Sequence, residues 1–220
     1  MTGPARATTR SIVVVTAGLS QPSSTRLLGD RLAAATERHL GDAGLATVIT
    51  AVDLREHARE LTNHLLTGFA APELQTVIDQ VLGADGLIAV TPIFSGSYSG
   101  LFKLFFDVIE RNGLADVPTL LAATGGTARH SLAIEHAMRP LFSYLHAATV
   151  PTGVYAASED WGTSGMTAEA GLGERIDRAA RELATAVALR PGRVRHDAFA
   201  DPVPFEELLR SPEAYRTDRG

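Results

Sequence analysis

Hydrophobic residues along this chain fall into two rhythms. Short apolar runs at residues 11–16 (Ser-Ile-Val-Val-Val-Thr), 46–54, 86–90, 117–123 and 148–156 alternate with longer stretches of helical spacing. Unbroken β-branched runs bounded by Gly or Pro predict strands buried on both faces. Apolar positions recurring every three or four residues predict helices with one buried face. One helix runs from a Ser23 or Ser24 cap to about Leu40, with Leu28, Leu32 and Ala35 along one face. A second opens at Pro72 and closes at Gly83, carrying Leu74, Val77, Ile78 and Val81, the usual placement of Pro and Gly at helix ends. Further helices are predicted at 101–109, 129–146 and 167–189, with another possible around His57 and His64. Five strands alternating with helices predict an α/β fold, a doubly wound parallel sheet covered on both faces.

Punctuation sets the domain limits. Residues 1–10 read as an N-terminal extension, with scattered charge and no apolar segment of the signal-peptide kind. Residues 11–190 form the folded domain. Composition changes at Arg190-Pro-Gly192, and Pro202, Pro204 and Pro212 mark residues 191–220 as an extended tail.

Composition narrows the chemistry. At 220 residues, 45% hydrophobic and 20% charged, the chain can bury one full core. A net charge of −5 argues against a nucleic-acid surface. No apolar stretch approaches the ~20 residues of a membrane span, so the expected location is cytoplasmic, with neither nucleic acid nor membrane as partner. With no cysteine, the chain has no disulfide, thiolate metal site or thiol nucleophile, and redox chemistry needs an imported cofactor. The seven histidines show no metal-ligand spacing. Neither G-x-G-x-x-G nor G-x-x-x-x-G-K-[ST] is present.

Three loops at strand ends carry the candidate chemistry. The first, Ala17-Gly-Leu-Ser-Gln-Pro-Ser-Ser-Thr25, sets Ser20, Ser23, Ser24 and Thr25 beside a helix start, with Arg26 next in line. Free amides and the positive end of a helix dipole suit a phosphate there; alternatively the serines only cap the helix. The second, Thr91-Pro-Ile-Phe-Ser-Gly-Ser-Tyr-Ser-Gly100, follows the third strand. Its glycines permit close approach of a flat ligand, its hydroxyls offer hydrogen bonds, and Phe94 and Tyr98 offer rings for stacking; the plainer reading is a strand-to-helix turn. The third places Thr124, Gly125 and Gly126 directly after a strand, as a ligand loop or as a simple connector. Loops at the carboxyl edge of such a sheet are where ligands bind, and this set fits a mononucleotide, with FMN the natural occupant.

These residues resemble the flavodoxin-like NAD(P)H-dependent FMN reductases, most closely the actinobacterial branch partnered with luciferase-like monooxygenases. The resemblance covers about residues 11–189. Its most specific motif, T-P-[ED]-Y-x-G-S-[YF]-x-[GA]-x-[LF]-K, is matched by Thr91, Pro92, Phe94, Gly96, Ser97, Tyr98, Gly100 and Lys103. Ser23 and Thr25 match the family's phosphate-loop hydroxyls, and Gly125-Gly126 match its third-loop glycines. The resemblance implies a flavodoxin-like five-stranded sheet of order 2-1-3-4-5. It implies FMN, rather than FAD, held by Gly18, Ser20, Ser23, Ser24 and Thr25, by Pro92, Ile93, Phe94, Ser95, Gly96 and Ser97, and by Thr124, Gly125 and Gly126. This chain departs from the pattern at Gly18 (usually Ser), at Ser20 (usually Arg), and at Ile93 and Phe94 (usually an acid and Tyr). Losing the guanidinium removes a charge-assisted bond of about 1.5–3 kcal/mol, which leaves open whether FMN is a prosthetic group or a substrate.

The implied reaction passes hydride from nicotinamide C4 to flavin N5, and the cofactor does the chemistry, so no catalytic side chain is assigned. The leading expectation is an NAD(P)H:FMN oxidoreductase supplying reduced FMN to a monooxygenase. The alternatives are an FMN-containing quinone or azo reductase and a non-enzymatic flavodoxin-like electron carrier. Arg129, beside the third loop, is a candidate for the 2′-phosphate of NADPH. The helix at 101–109 is apolar on nearly every side, and Met138, Leu141, Phe142, Tyr144 and Leu145 follow on the next. That predicts a homodimer or higher homo-oligomer, unless the terminal helix or tail covers this surface.

Overall fold

The computed structural model describes residues 9–161 and 166–191, with side chains omitted at 166–170; the expectations for residues 1–8 and 192–220 lie outside the described residues. The Val-rich run forms β1 (Thr9–Thr16), beginning two residues before the expected start. It is followed by α1 (Ser24–Asp42), β2 (Ala46–Asp53), α2 (Ala58–Thr67), α3 (Pro72–Leu82) and β3 (Gly86–Phe94). Then come β4 (Ser97–Tyr98), α4 (Gly100–Asp107), β5 (Pro118–Gly125), α5 (Arg139–Tyr144), β6 (Ala148–Thr149), β7 (Val154–Ala157) and α6 (Met166–Ala188).

The main sheet is parallel in the order β2-β1-β3-β5-β6, with β7 also paired to β5. Taking β6 and β7 as the two halves of the expected fifth strand, this is the 2-1-3-4-5 order. Alternation along the buried strands splits the core in two. Val13, Val15, Leu87, Ala89 and Leu121 face α2 to α5, where Leu61, Leu74, Phe102, Phe106 and Phe142 are buried. Ile12, Val14, Ile88, Val90 and Leu120 face α1 and α6, meeting Leu28, Leu32 and Leu183. Arg10, inside β1, donates to the Arg190 carbonyl at 2.6 Å and so ties the last turn after α6 to the sheet.

Three predicted elements differ, each for a local reason. The run after Val90 does not become a loop: β3 continues to Phe94 and folds back as a hairpin pairing Ile93 with Tyr98 and Phe94 with Ser97. Ser95 (φ 49°) and Gly96 (φ 84°) form its two-residue turn, the positive-φ pair that matches strand twist. The expected helix at 129–146 is broken into a short turn at 128–130, a π-helical turn at Ile134–Met138 and α5. Pro140 lacks an N–H and its ring clashes with the preceding turn; just upstream the Arg139 N–H reaches five residues back to Ile134. The expected strand at 148–156 is interrupted because Pro151 cannot donate to the ladder. Residues 150–153 there stand opposite only residues 120 and 121, and Gly153 passes so near Ile134 that a Cβ would lie 2.7 Å from its Cγ2.

The helix expected to be apolar all round is largely accounted for within the chain. Phe102, Phe105 and Phe106 are core residues, leaving Leu101, Leu104 and Val108 partly covered.

Candidate functional site

Because β1, β3 and β5 run parallel, the segments after them meet at one edge of the sheet. They enclose a cavity of about 930 Å³, within the usual ~300–1,000 Å³ of small-molecule sites.

The segment after β1 supplies hydroxyls and the start of α1. Ser23 caps the helix, its Oγ accepting from the Arg26 N–H at 3.2 Å. Gly18 makes that cap possible, since a side chain there would overlap Ser23 Oγ. Capping and ligand binding are therefore not alternatives for the whole loop: Ser23 caps, while Ser20 and Ser24 are exposed along the cavity wall. Thr25, 2% exposed, shares a 2.8 Å hydrogen bond with Thr124, 4% exposed. That bond ties the start of α1 to the end of β5. No carboxylate stands in the first turn of α1, so the positive end of its dipole is uncompensated there. Arg26 does not turn to the cavity; its Nε is paired with Asp30 at 2.8 Å.

The segment after β3 gives a largely apolar wall. Pro92 is buried and in register with Thr124, Ile93 is partly covered, and Phe94 is 47% exposed at the rim. Ser95 and Gly96 form the hairpin turn and Ser97 begins β4, and none of the three lines the cavity. Gly18 is likewise outside the lining, acting through Ser23. Tyr98 is not among the lining residues, and its ring packs on Phe102 with centroids 5.9 Å apart.

The segment after β5 contributes Thr124, Gly125 and Gly126 to the lining. Beneath it, the Tyr155 hydroxyl donates to the Thr127 carbonyl at 2.8 Å and occupies the space a Gly125 side chain would need. Burial, and then the nearby Asp160 carboxylate, raises the Tyr155 pKa above the ordinary phenol value, so the hydroxyl stays a donor. Arg129 is exposed on the turn at Ala128–His130 and is not part of the lining.

A fourth wall was not anticipated from the sequence. Leu27 and Arg31 on α1 face Ser158 and Trp161, on the turn after β7. The Arg31 guanidinium carbon lies 5.1 Å from the centroid of the Trp161 ring. That turn is fixed by Asp160, which accepts from the Ala157 N–H at 2.8 Å and from Arg175 of α6 at 3.0 Å. Two signals pointed here: Arg31 lies two helical turns after Ser24, and the single tryptophan follows the fifth strand region at the same sheet edge.

The donor set fits FMN. Neutral hydroxyls and helix-start amides suit a phosphate, and Pro92, Ile93 and Phe94 with the side-chain-free Gly125-Gly126 backbone suit a planar ring.

Comparison with known proteins agrees with this chemistry. The model of the NADPH-dependent FMN reductase family matches residues 10–162. An FMN reductase (NADPH) of Pseudomonas aeruginosa is 41% identical over 173 residues, covering 79% of this chain and 90% of that protein. The NADH-dependent FMN reductase SfnF of Pseudomonas fluorescens is 38% identical, covering 79% of this chain and 89% of its own. The crystal structure of an oxidoreductase from Corynebacterium diphtheriae superposes with a TM-score of 0.80 at 40% identity, covering 83% of this chain and 99% of that one. The chain is thus a flavodoxin-like oxidoreductase belonging to the NADPH-dependent FMN reductase family.

Proposed function

We propose that this enzyme reduces FMN with NAD(P)H at the β1–β3–β5 edge and releases the reduced flavin to a flavin-dependent monooxygenase. The carrying observation is the convergence of the α1-start hydroxyls, the Pro92–Phe94 wall and Gly125-Gly126 on one cavity. When bound, FMN supplies the redox chemistry by accepting hydride at N5. The chain's own work is placement. Ser20, Ser24 and the α1 amides hold the phosphate, Thr25 and Thr124 fix the spacing between two loops, and Ile93 and Phe94 shield the ring. Release is favoured by a first loop that is exposed at Ser20, Pro22 and Ser24 and carries no guanidinium of its own directed to the cavity. The relatives named for NADPH and for NADH support the general NAD(P)H assignment.

A homodimer working in the cytoplasm belongs to the same proposal. Leu101, Leu104, Val108 and Leu141 are only partly buried, and Tyr144 is 61% exposed beside them, an apolar face suited to a second copy. No helix among the described residues is long and apolar enough to cross a membrane.

The test is anaerobic NAD(P)H oxidation with excess FMN, followed at 340 nm, with ultrafiltration afterwards. Many flavins reduced per chain, with reduced FMN in the filtrate, are expected. Reduced flavin retained on the protein would favour a quinone or azo reductase. No nicotinamide oxidation would mean an electron carrier. Light scattering checks the oligomer, for which a mass near 23.3 kDa would mean monomer.

A further inference from the structure

The cavity does not stop at the start of α1. Ser24, Leu27 and Arg31 follow one another three and four residues apart on a single face of that helix, and all three line it. From Ser24 to Arg31 the helix rises about 10 Å, so the wall runs that far past the position proposed for the phosphate. Facing this stretch are Ser158 and Trp161, on the turn that follows β7. Leu27 is 44% exposed, Ser158 is exposed, and Trp161 is only partly covered where it packs on the α1–α6 side of the core. The indole is held in place. Its neighbour Asp160 accepts from the Ala157 N–H at 2.8 Å and from Arg175 at 3.0 Å, and the Arg31 guanidinium carbon lies 5.1 Å from the ring centroid. An exposed leucine across a cavity from an anchored indole makes a slot for a flat, neutral ring.

We infer that this arm of the cavity binds the adenosine 5′-phosphate half of a dinucleotide, with the adenine against Leu27 and Trp161. This rests on the proposed placement of the phosphate at the start of α1. FMN ends at that phosphate, and a ligand that continues along α1 must continue from it. FAD does so, being FMN joined to AMP through a pyrophosphate, and helix starts hold pyrophosphates as they hold monoesters. NAD(P)H carries the same adenosine half. The family resemblance implies FMN rather than FAD; the ring and phosphate positions serve both, and the arm gives the remaining half a place. Ser158 offers it a hydroxyl.

The experiment titrates FAD, FMN and riboflavin against the protein by flavin absorbance. It also compares the KM of NADH with that of reduced nicotinamide mononucleotide, which lacks the adenosine half, with FMN as acceptor. Trp161→Ala should raise the FAD-to-FMN ratio of Kd, or the NADH-to-mononucleotide ratio of KM, about fivefold to a hundredfold, the effect of one lost base stack. A change in the first ratio assigns the arm to the flavin dinucleotide, and a change in the second assigns it to the nicotinamide dinucleotide. Trp161→Phe, which keeps a ring, should restore the changed ratio. Leu27→Ala, at an exposed position, should shift the same ratio by less, and it decides the matter if Trp161→Ala does not fold. Both ratios unchanged overturns the inference. So does an equal loss of FAD, FMN and riboflavin, which would make Trp161 a packing residue. If wild type binds FMN and riboflavin alike, the phosphate placement under the proposed function fails. A retained preference for FMN over riboflavin with both ratios indifferent to Trp161 and Leu27 fails the arm alone.

Discussion

Replacing Thr25 by Val removes one hydroxyl of the buried Thr25–Thr124 pair while keeping side-chain shape. The bond is 2.8 Å long between residues 2% and 4% exposed, so the surviving Thr124 hydroxyl is left without its partner away from water. A buried polar group so stranded costs about 1–3 kcal/mol, whereas replacing both partners by apolar groups of equal shape is close to neutral. Thr25→Val and Thr124→Val should therefore each lower unfolding free energy by about 1–3 kcal/mol. The double variant should lose much less than their sum, giving a coupling within the ~0.5–3 kcal/mol seen for contacting residues. Urea denaturation of the flavin-free protein, with an unchanged m-value, measures this. FMN titration of the same proteins separates scaffold from site: the double variant should regain stability without regaining FMN affinity. Additive single effects, or a Thr25→Val protein within about 0.5 kcal/mol of wild type, would refute the argument that this pair links the two loops.

Other expectations follow from neighbouring contacts. Gly18→Ala should place its methyl on Ser23 Oγ, losing about 1 kcal/mol of cap energy and weakening FMN binding; an unchanged melting temperature would contradict this. Tyr155→Phe removes the bond to the Thr127 carbonyl and should cost about 0.5–1.5 kcal/mol with weaker flavin binding, both read by thermal melts with and without FMN. Since the Tyr155 pKa is raised by burial, its contribution is complete below the ordinary phenol value of about 10 and fades as pH rises through the higher folded-state value. Glu135, held low by its hydrogen bond to Arg139, and Asp177, held low by His39, act in the opposite direction. Their contributions are present above the ordinary carboxylate range near pH 4 and fall away as pH drops through the lower folded-state values. An acid titration of stability should therefore flatten in the Glu135→Gln, Asp177→Asn double variant.

The sequence is most legible where one rule acts alone. Val13 to Val15, Leu87 to Val90 and Leu120 to Ala123 read as buried strands because nothing in them competes with burial on both faces. Parallel crossovers then bring the loops after β1, β3 and β5 to one edge, so Ser20, Ser24, Pro92 and Gly125 could be grouped before any coordinates. Reading failed where a single residue broke a good period. Pro140 and Pro151 divided a helix and a strand whose apolar spacing was otherwise regular. Pro92 led the end of β3 to be read as loop, yet it takes the final ladder position against β5, where one absent donor is tolerated. Arg31 and Trp161 each had a positional signal, but neither signal joined them to Ser158, since their meeting depends on how α1 and the turn after β7 pack. Gly96 was read as room for a ligand, and its structural requirement is the positive φ of a hairpin turn.

The most direct measurement of the central claim is a crystal structure of the protein with FMN. The account predicts the phosphate among Ser20, Ser24 and the first amides of α1. It predicts the ring between the Pro92–Phe94 wall and Gly125-Gly126. Flavin bound away from the β1–β3–β5 edge, or bound there with its phosphate turned away from α1, would contradict it.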